Sequence, residues 1–220
     1  MIIGIIAAMQ LEISDLKKHF SQGQQKTIIK NEFYQVVYGN NELVFVCCGQ
    51  GKTNATIFTQ LLIQEFQTDI IINIGVCGGL NKEDKIFDLY LGEHYYHYDI
   101  RLKQALEKYP FQPYFEADPE LLKQIKAIAP KIKTGNFGSG EGFVSSEKQK
   151  QELSRSFALA CVDMESASIA QCCWFNNIRF VAIRCLCDKA DSSAVYTSEE
   201  IQQQAMRRTN QVLLAYLDSL

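Results

Sequence analysis

The chain has 220 residues, 47% of them apolar and 21% charged, with a formal net charge of −3. That size and balance suit one large α/β domain, or two small ones, with a substantial buried core. The slight acidity and the lack of any Lys/Arg block exclude the electrostatic footprint of a nucleic-acid binder, and no apolar run is long enough to span a membrane.

The first residues, MIIGIIAAM, are apolar but short, and lack the basic start and cleavage region of a secretory signal. They read as a buried strand over 2–8, and the compartment as cytoplasmic. QLEISDLKKHF (10–20) has helical spacing. KTIIK and FYQVVYG, within 26–39, alternate and predict an antiparallel hairpin. ELVFVCC (42–48) and DIIINIGVC (69–77) are continuous apolar runs that suit strands covered on both faces, with the helical pattern KTNATIFTQLLIQEF (52–66) between them. Residues 94–117 are aromatic, carry two prolines and have no clear period. Such a stretch is more often a functional or interface loop than a linker, so it predicts a dimer contact or a substrate wall. Helices follow at 118–129, starting from Asp118–Pro119, and at 146–157. FALACV (157–162) and RFVAIRCLC (179–187) read as strands around a helix at 164–177, and a last helix opens at Ser198 and runs to 220. Strands alternating with helices predict an α/β fold of three αβα layers around a mixed, largely parallel central sheet. No linker divides the chain, so residues 1–220 form a single domain.

The eight cysteines, at 47, 48, 77, 161, 172, 173, 185 and 187, form no CxxC pair. They read as reduced core thiols, not a disulfide scaffold. His94 and His97 have no third ligand nearby, so no metal site is expected. CCGQGKT (47–53) looks like the tail of a phosphate loop, but that motif needs a glycine where Val46 stands. With NIGVCGGL (73–80) and GNFGSGEGFVSS (135–146) it makes three glycine clusters. All three read as turns at the carboxyl ends of strands, the edge where open α/β sheets bind ligands.

Four charges stand out. Glu12 falls on a first helical turn, where the helix dipole alone could explain it. Glu165 opens a helix uncharged from Ser166 to Asn177, so its carboxylate faces a cavity or a partner. Asp188 follows the last strand, at the ligand edge or as a cap. Arg184 interrupts a run that should be buried, where an unpaired charge is costly. Three carboxylates and an arginine, without nucleophile or metal signatures, suggest acid–base chemistry. Glycosidic cleavage is one reaction that needs an acid for the leaving group, a base for water and a hydroxyl clamp.

MIIGIIAAMQLE, GQGK, NIGVCGG, GEGFV, VDMES and VAIRCLCDKAD stand in an order and spacing that resembles the nucleoside phosphorylase/hydrolase superfamily. Within it the chain is most similar to the 5′-methylthioadenosine/S-adenosylhomocysteine nucleosidases, from Met1 to about Asp191. The resemblance implies a nucleoside phosphorylase-like fold, a homodimer, a small-molecule nucleoside substrate and no metal or organic cofactor. It implies Asp188 as the acid on purine N7, Glu12 as the base for water and Arg184 as its helper. Glu165 and Met164 would hold the ribose, Phe143 and Val144 the base, with Met9 and Gly78 completing the substrate site. The acid role requires a protonated Asp188 near neutral pH, which burial or neighbouring acids would supply. Asp163 is then expected to be a helix N-cap. The chain departs from the family pattern at Gln50, usually apolar, and at Val76, usually a hydroxyl residue that helps hold water. Lys103 and Ser198 stand near positions that are usually aromatic, so a more polar pocket for the 5′ substituent is expected. Three readings follow: a nucleosidase, a phosphorylase of the same superfamily, and a non-catalytic nucleoside-binding protein. Phosphate dependence separates the first two, and release of free base separates both from the third.

Overall fold

The computed structural model describes residues 1–100 and 102–220. In chain order these form β1 (Ile2–Ala7), α1 (Gln10–His19), β2 (Gln24–Ile28), β3 (Asn31–Tyr38), β4 (Asn41–Cys47), α2 (Lys52–Phe66), β5 (Ile70–Gly79), β6 (Leu89–His97), α3 (Leu102–Glu107) and β7 (Phe115–Glu116). There follow α4 (Pro119–Ile128), β8 (Lys133–Ser139), α5 (Glu147–Ser156), β9 (Leu159–Asp163), α6 (Ser166–Asn176), β10 (Arg179–Asp188), a 3-10 turn (Ala194–Tyr196) and α7 (Glu199–Asp218).

The Ile- and Val-rich runs become the sheet's centre. β4, β1, β5 and β10 lie side by side and parallel, with Ile3, Ile5, Val44, Ile71, Ile72 and Val181 fully buried. Helices cover both faces, as strands without polar alternation require. The hairpin β2–β3 continues antiparallel from β4. On the other side β10 pairs antiparallel with β6, β6 parallel with β8, and β8 parallel with β9. β5 borders β1 over Ile70–Asn73, then turns to pair antiparallel with β9 at Gly78 and Gly79. The mixed sheet therefore closes on itself as a five-stranded ring, β5–β10–β6–β8–β9, with β1, β4, β3 and β2 as an open wing.

Several local expectations change. The stretch 94–117 is not a loop: it holds the end of β6, α3, and β7, which pairs back on β6; its Arg101 lies outside the described residues. NIGVCGG lies inside β5 and not in a turn after it, and GNFGS is the body of β8. The expected helix starts at Asp118 and Ser198 are side-chain caps, accepting from Leu121 N at 2.9 Å and Ile201 N at 3.3 Å. All eight cysteines are free thiols, seven of them buried.

The carboxyl ends of β1, β5 and β10 emerge together because these strands are parallel. β9 arrives from the opposite direction, and its own carboxyl end meets them at Gly78. These four strand ends, together with the loops after β4, β6 and β8, surround one cleft.

Candidate active site

The cleft, about 130 Å³, is lined by Glu12 from α1, Asp188 at the end of β10, Met164 and Glu165 ahead of α6, and Phe143 and Val144 after β8. Met9 and Gly78 also line it, so eight of the nine expected site residues meet in one place. Arg184 is the ninth and does not line the cleft; it lies behind it, 1% exposed.

Glu12 does two things at once. Its Oε2 accepts from Ala8 N at 2.8 Å and Met9 N at 2.9 Å, closing the start of α1. Its Oε1 accepts from Val76 N at 3.3 Å. Burial pushes its carboxyl up, while the Arg184 charge and these three amides oppose that rise. Val76 thus offers Glu12 its backbone, where the expected hydroxyl is missing. The glycine at 75 makes the approach possible: a Cβ there would lie 2.9 Å from Glu12 Oε1 and 3.1 Å from Arg184 Nη1.

Asp188 is anchored through Oδ1, which accepts from Ala190 N at 2.8 Å. Oδ2 stands 3.3 Å from the Cys187 sulfur. A Cβ at Gly78 would fall 2.7 Å from Asp188 Oδ1, so here too a strand glycine makes room for a carboxylate. Glu165 is 6% exposed, and its Oε1 accepts from Gly51 N at 2.9 Å. Burial and then the Asp163 charge raise its carboxyl to about 7, against Arg184 and the Gly51 amide.

Asp163 and Arg184 explain each other. Arg184 Nε donates to Asp163 Oδ2 at 3.0 Å, and its Nη2 bonds Ser166 Oγ at 3.0 Å and Asn73 Oδ1. Asp163 Oδ1 also takes the Glu165 and Ser166 amides at 3.2 and 3.1 Å, opening α6. The charge that seemed out of place in β10 is therefore paired with Asp163 at the back of the cleft, where Gly75 leaves room for it beside Glu12.

Sequence reasoning passed over Cys77, Tyr98, Thr197 and Gln202, which also line the cleft. Tyr98 falls in the aromatic stretch expected to supply a substrate wall. Gln202 follows Ile201, which packs near Val76 and Cys187. The two positions expected to make the 5′ pocket polar lie elsewhere: Lys103 pairs with Glu107 at 3.8 Å with its side chain 84% exposed, and the Ser198 hydroxyl caps α7. Thr197 and Gln202 are the polar side chains that line the cleft from this segment. Gln50 lines the cleft from its exposed rim.

A mixed sheet that closes at the carboxyl end of its parallel strands, with Glu12, Asp163, Glu165 and Asp188 around one cleft, defines a nucleoside phosphorylase-like protein. The family model described as Phosphorylase superfamily matches residues 2–218, and the chain belongs to that superfamily. It is 30% identical over 227 residues to a 5′-methylthioadenosine/S-adenosylhomocysteine nucleosidase of Staphylococcus aureus, an alignment covering 99% of this chain and 100% of the relative. Among solved structures, a Helicobacter pylori nucleosidase of the same name, complexed with a pyrrolopyrimidine ligand, superposes with a TM-score of 0.94 at 28% identity, covering 100% of this chain and 98% of the other. The Streptococcus pneumoniae nucleosidase bound to the transition-state inhibitor MT-ImmA gives 0.93 at 28% identity, covering 99% and 98%. The native futalosine hydrolase of Helicobacter pylori gives 0.94 at 27% identity, covering 100% and 98%.

Proposed function

We propose that this protein hydrolyses the N-glycosidic bond of 5′-substituted adenosines, methylthioadenosine and S-adenosylhomocysteine among them, to adenine and the free 5′-substituted ribose. The observation that carries this reading is the placement of Glu12, Glu165 and Asp188 around one cleft whose described lining includes no Lys or Arg. An acidic lining repels phosphate and accepts neutral water, so it favours hydrolysis over phosphorolysis.

In this reading the base lies against Phe143 and Val144, and Glu165 accepts from the ribose hydroxyls with Met164 against the sugar. Asp188 gives its proton to N7 as the bond between N9 and C1′ breaks. Water adds to C1′ and passes a proton to Glu12, whose raised carboxyl makes it a stronger base than an exposed glutamate. Arg184 stays out of contact with substrate and supplies a fixed positive charge behind Glu12. The ionised acids stabilise the oxocarbenium-like sugar in a water-poor cleft. Thr197 and Gln202 present a polar wall that suits a hydrogen-bonding 5′ group.

The same proposal includes a homodimer, supported by exposed Tyr109, Phe111, Trp174 and Phe175, and a cytoplasmic setting, supported by seven buried free thiols. No described helix is long and apolar enough to cross a membrane. The test is adenine release from methylthioadenosine, S-adenosylhomocysteine and adenosine, each with and without phosphate. Release independent of phosphate is expected. Release only with phosphate would make the protein a phosphorylase, and tight nucleoside binding without release would make it a binding protein.

A further inference from the structure

Glu165 is not held by its own helix. Its Oε1 takes the amide of Gly51, which sits at a φ of +96°, just ahead of α2. That placement raises the question of what holds Gly51. Gly51 is the N-cap of α2 and has no side chain to close the helix, so the first amide of α2 would be open. It is closed from another loop: Lys52 N donates to Glu141 Oε1 at 3.0 Å. A Cβ at position 51 would lie 2.7 Å from Glu141 Oε2, so only glycine lets that carboxylate come so close. Asp99 ties the arrangement together. Lys52 Nζ bonds Asp99 Oδ1 at 2.7 Å and pairs with Oδ2 at 2.6 Å, and Glu141 N donates to Oδ2 at 3.2 Å. The Lys52 side chain is only 19% exposed, so this pair is better shielded than an ordinary surface ion pair. Next to it, Tyr98 OH donates to Gly142 O at 2.6 Å. The loops after β4, β6 and β8 are thereby locked to one another at the rim of the cleft.

We propose that Lys52, Asp99 and Glu141 are positioning residues: a three-loop latch that fixes the Gly51 amide on Glu165 and so sets the clamp on the ribose hydroxyls. The inference rests on the reading of Glu165 as that clamp. None of the three lines the cleft, so their effect on substrate passes through Gly51. A latch of this kind differs from a plain helix cap in one respect: it is felt through the 2′-hydroxyl.

The experiment compares adenosine with 2′-deoxyadenosine in wild type, Glu141→Ala, Lys52→Met and Glu141→Gln. Both truncations are expected to cut the ratio of kcat/KM for adenosine over 2′-deoxyadenosine by about tenfold, the loss of roughly one charge-assisted hydrogen bond. The change should appear mainly in the KM for adenosine. Glu141→Gln keeps an oxygen for Lys52 N and should restore most of the ratio. Asp99→Asn, which breaks the ion pair but retains an acceptor for Glu141 N, gives the same readout should a truncation fail to fold. A ratio within about twofold of wild type, or equal losses on both nucleosides, would overturn the latch and leave a stability role alone. Calorimetric binding of the two nucleosides reads the same preference without turnover. An inactive wild type would therefore sink the nucleosidase reading while the latch was still decided.

Discussion

Burial, together with the charge of Asp163, lifts the Glu165 carboxyl from an ordinary 4.5 to about 7. Between those values the folded protein holds a proton that the unfolded chain has released. Its stability from this group is therefore fully present below about 4.5 and falls as pH rises through about 7. Glu165→Gln should flatten the pH dependence of the unfolding midpoint across that window; an unchanged slope would show that Glu165 does not titrate there. Ribose hydroxyls donating to the ionised carboxylate act in the opposite sense and should tighten nucleoside binding as pH rises through the same range. Glu12 and Asp188 separate structure from chemistry differently. Glu12 closes α1 through Oε2, and a glutamine keeps an acceptor there. Glu12→Gln should therefore fold and bind nucleoside while adenine release stops. Asp188→Asn keeps an oxygen for Ala190 N but has no proton to give N7, so turnover should drop by about 10²–10⁴ with inhibitor binding largely kept. Wild-type rates in either variant would remove that residue from the mechanism.

β5 shows what the sequence could and could not tell at the level of elements. Its Ile-rich half declared a buried strand, and the glycines that follow looked like a turn. They are strand positions emptied of side chains so that Glu12 and Asp188 can stand against the backbone. Gly78→Ala places a Cβ 2.7 Å from Asp188 Oδ1 and 3.0 Å from the Ala190 Cβ, pushing the acid out of line. A displacement of this order should cost about a hundredfold in kcat, with the protein still folded by circular dichroism; full activity would mean that Asp188 tolerates the move. The same logic explains the strands that were missed. β8 reads KTGNFGS, where Gly135 faces Ala160 and Gly138 faces Leu159, so packing and not apolar pattern specifies it. β6 carries polar and aromatic residues that are only partly buried at Glu93, His94, Tyr96 and His97, and β7 is only a two-residue pairing on it. Apart from α3, hidden in the aromatic stretch read as a loop, the helices were legible to within a few residues because their caps are local: Asp118 and Ser198 announce themselves. The site acids were legible as anomalies of charge. Thr197 and Gln202 were not, because a polar residue at a helix start is ordinary until the fold turns it toward a cleft.

At the scale of the whole molecule, the ring leaves one face that a lone chain does not cover. Tyr109 and Phe111, beyond α3, are 74% and 58% exposed, and Trp174 and Phe175, at the end of α6, are 43% and 45% exposed. They are contiguous: the rings of Tyr109 and Phe175 lie 6.0 Å apart and those of Trp174 and Phe175 5.0 Å. Single exposed aromatics need no account, but a joined group of four, rich in the residue types that anchor interfaces, does. A two-fold partner presenting the same surface would cover it. Burying a ring of this size contributes about 1.5–3 kcal/mol before the cost of association, so two charges placed in the patch should be decisive. Sedimentation at micromolar concentration should give a dimer for the wild type and a monomer for the double variant Tyr109→Asp/Phe175→Glu. The consequence for catalysis follows from chain connectivity. The patch lies at one end of α6, and Glu165 stands at the other; the segment carrying Tyr109 follows Tyr98, which lines the cleft. A monomeric variant should therefore lose adenine release as well as its partner, and a monomer with full activity would show that the aromatic face has no part in shaping the site.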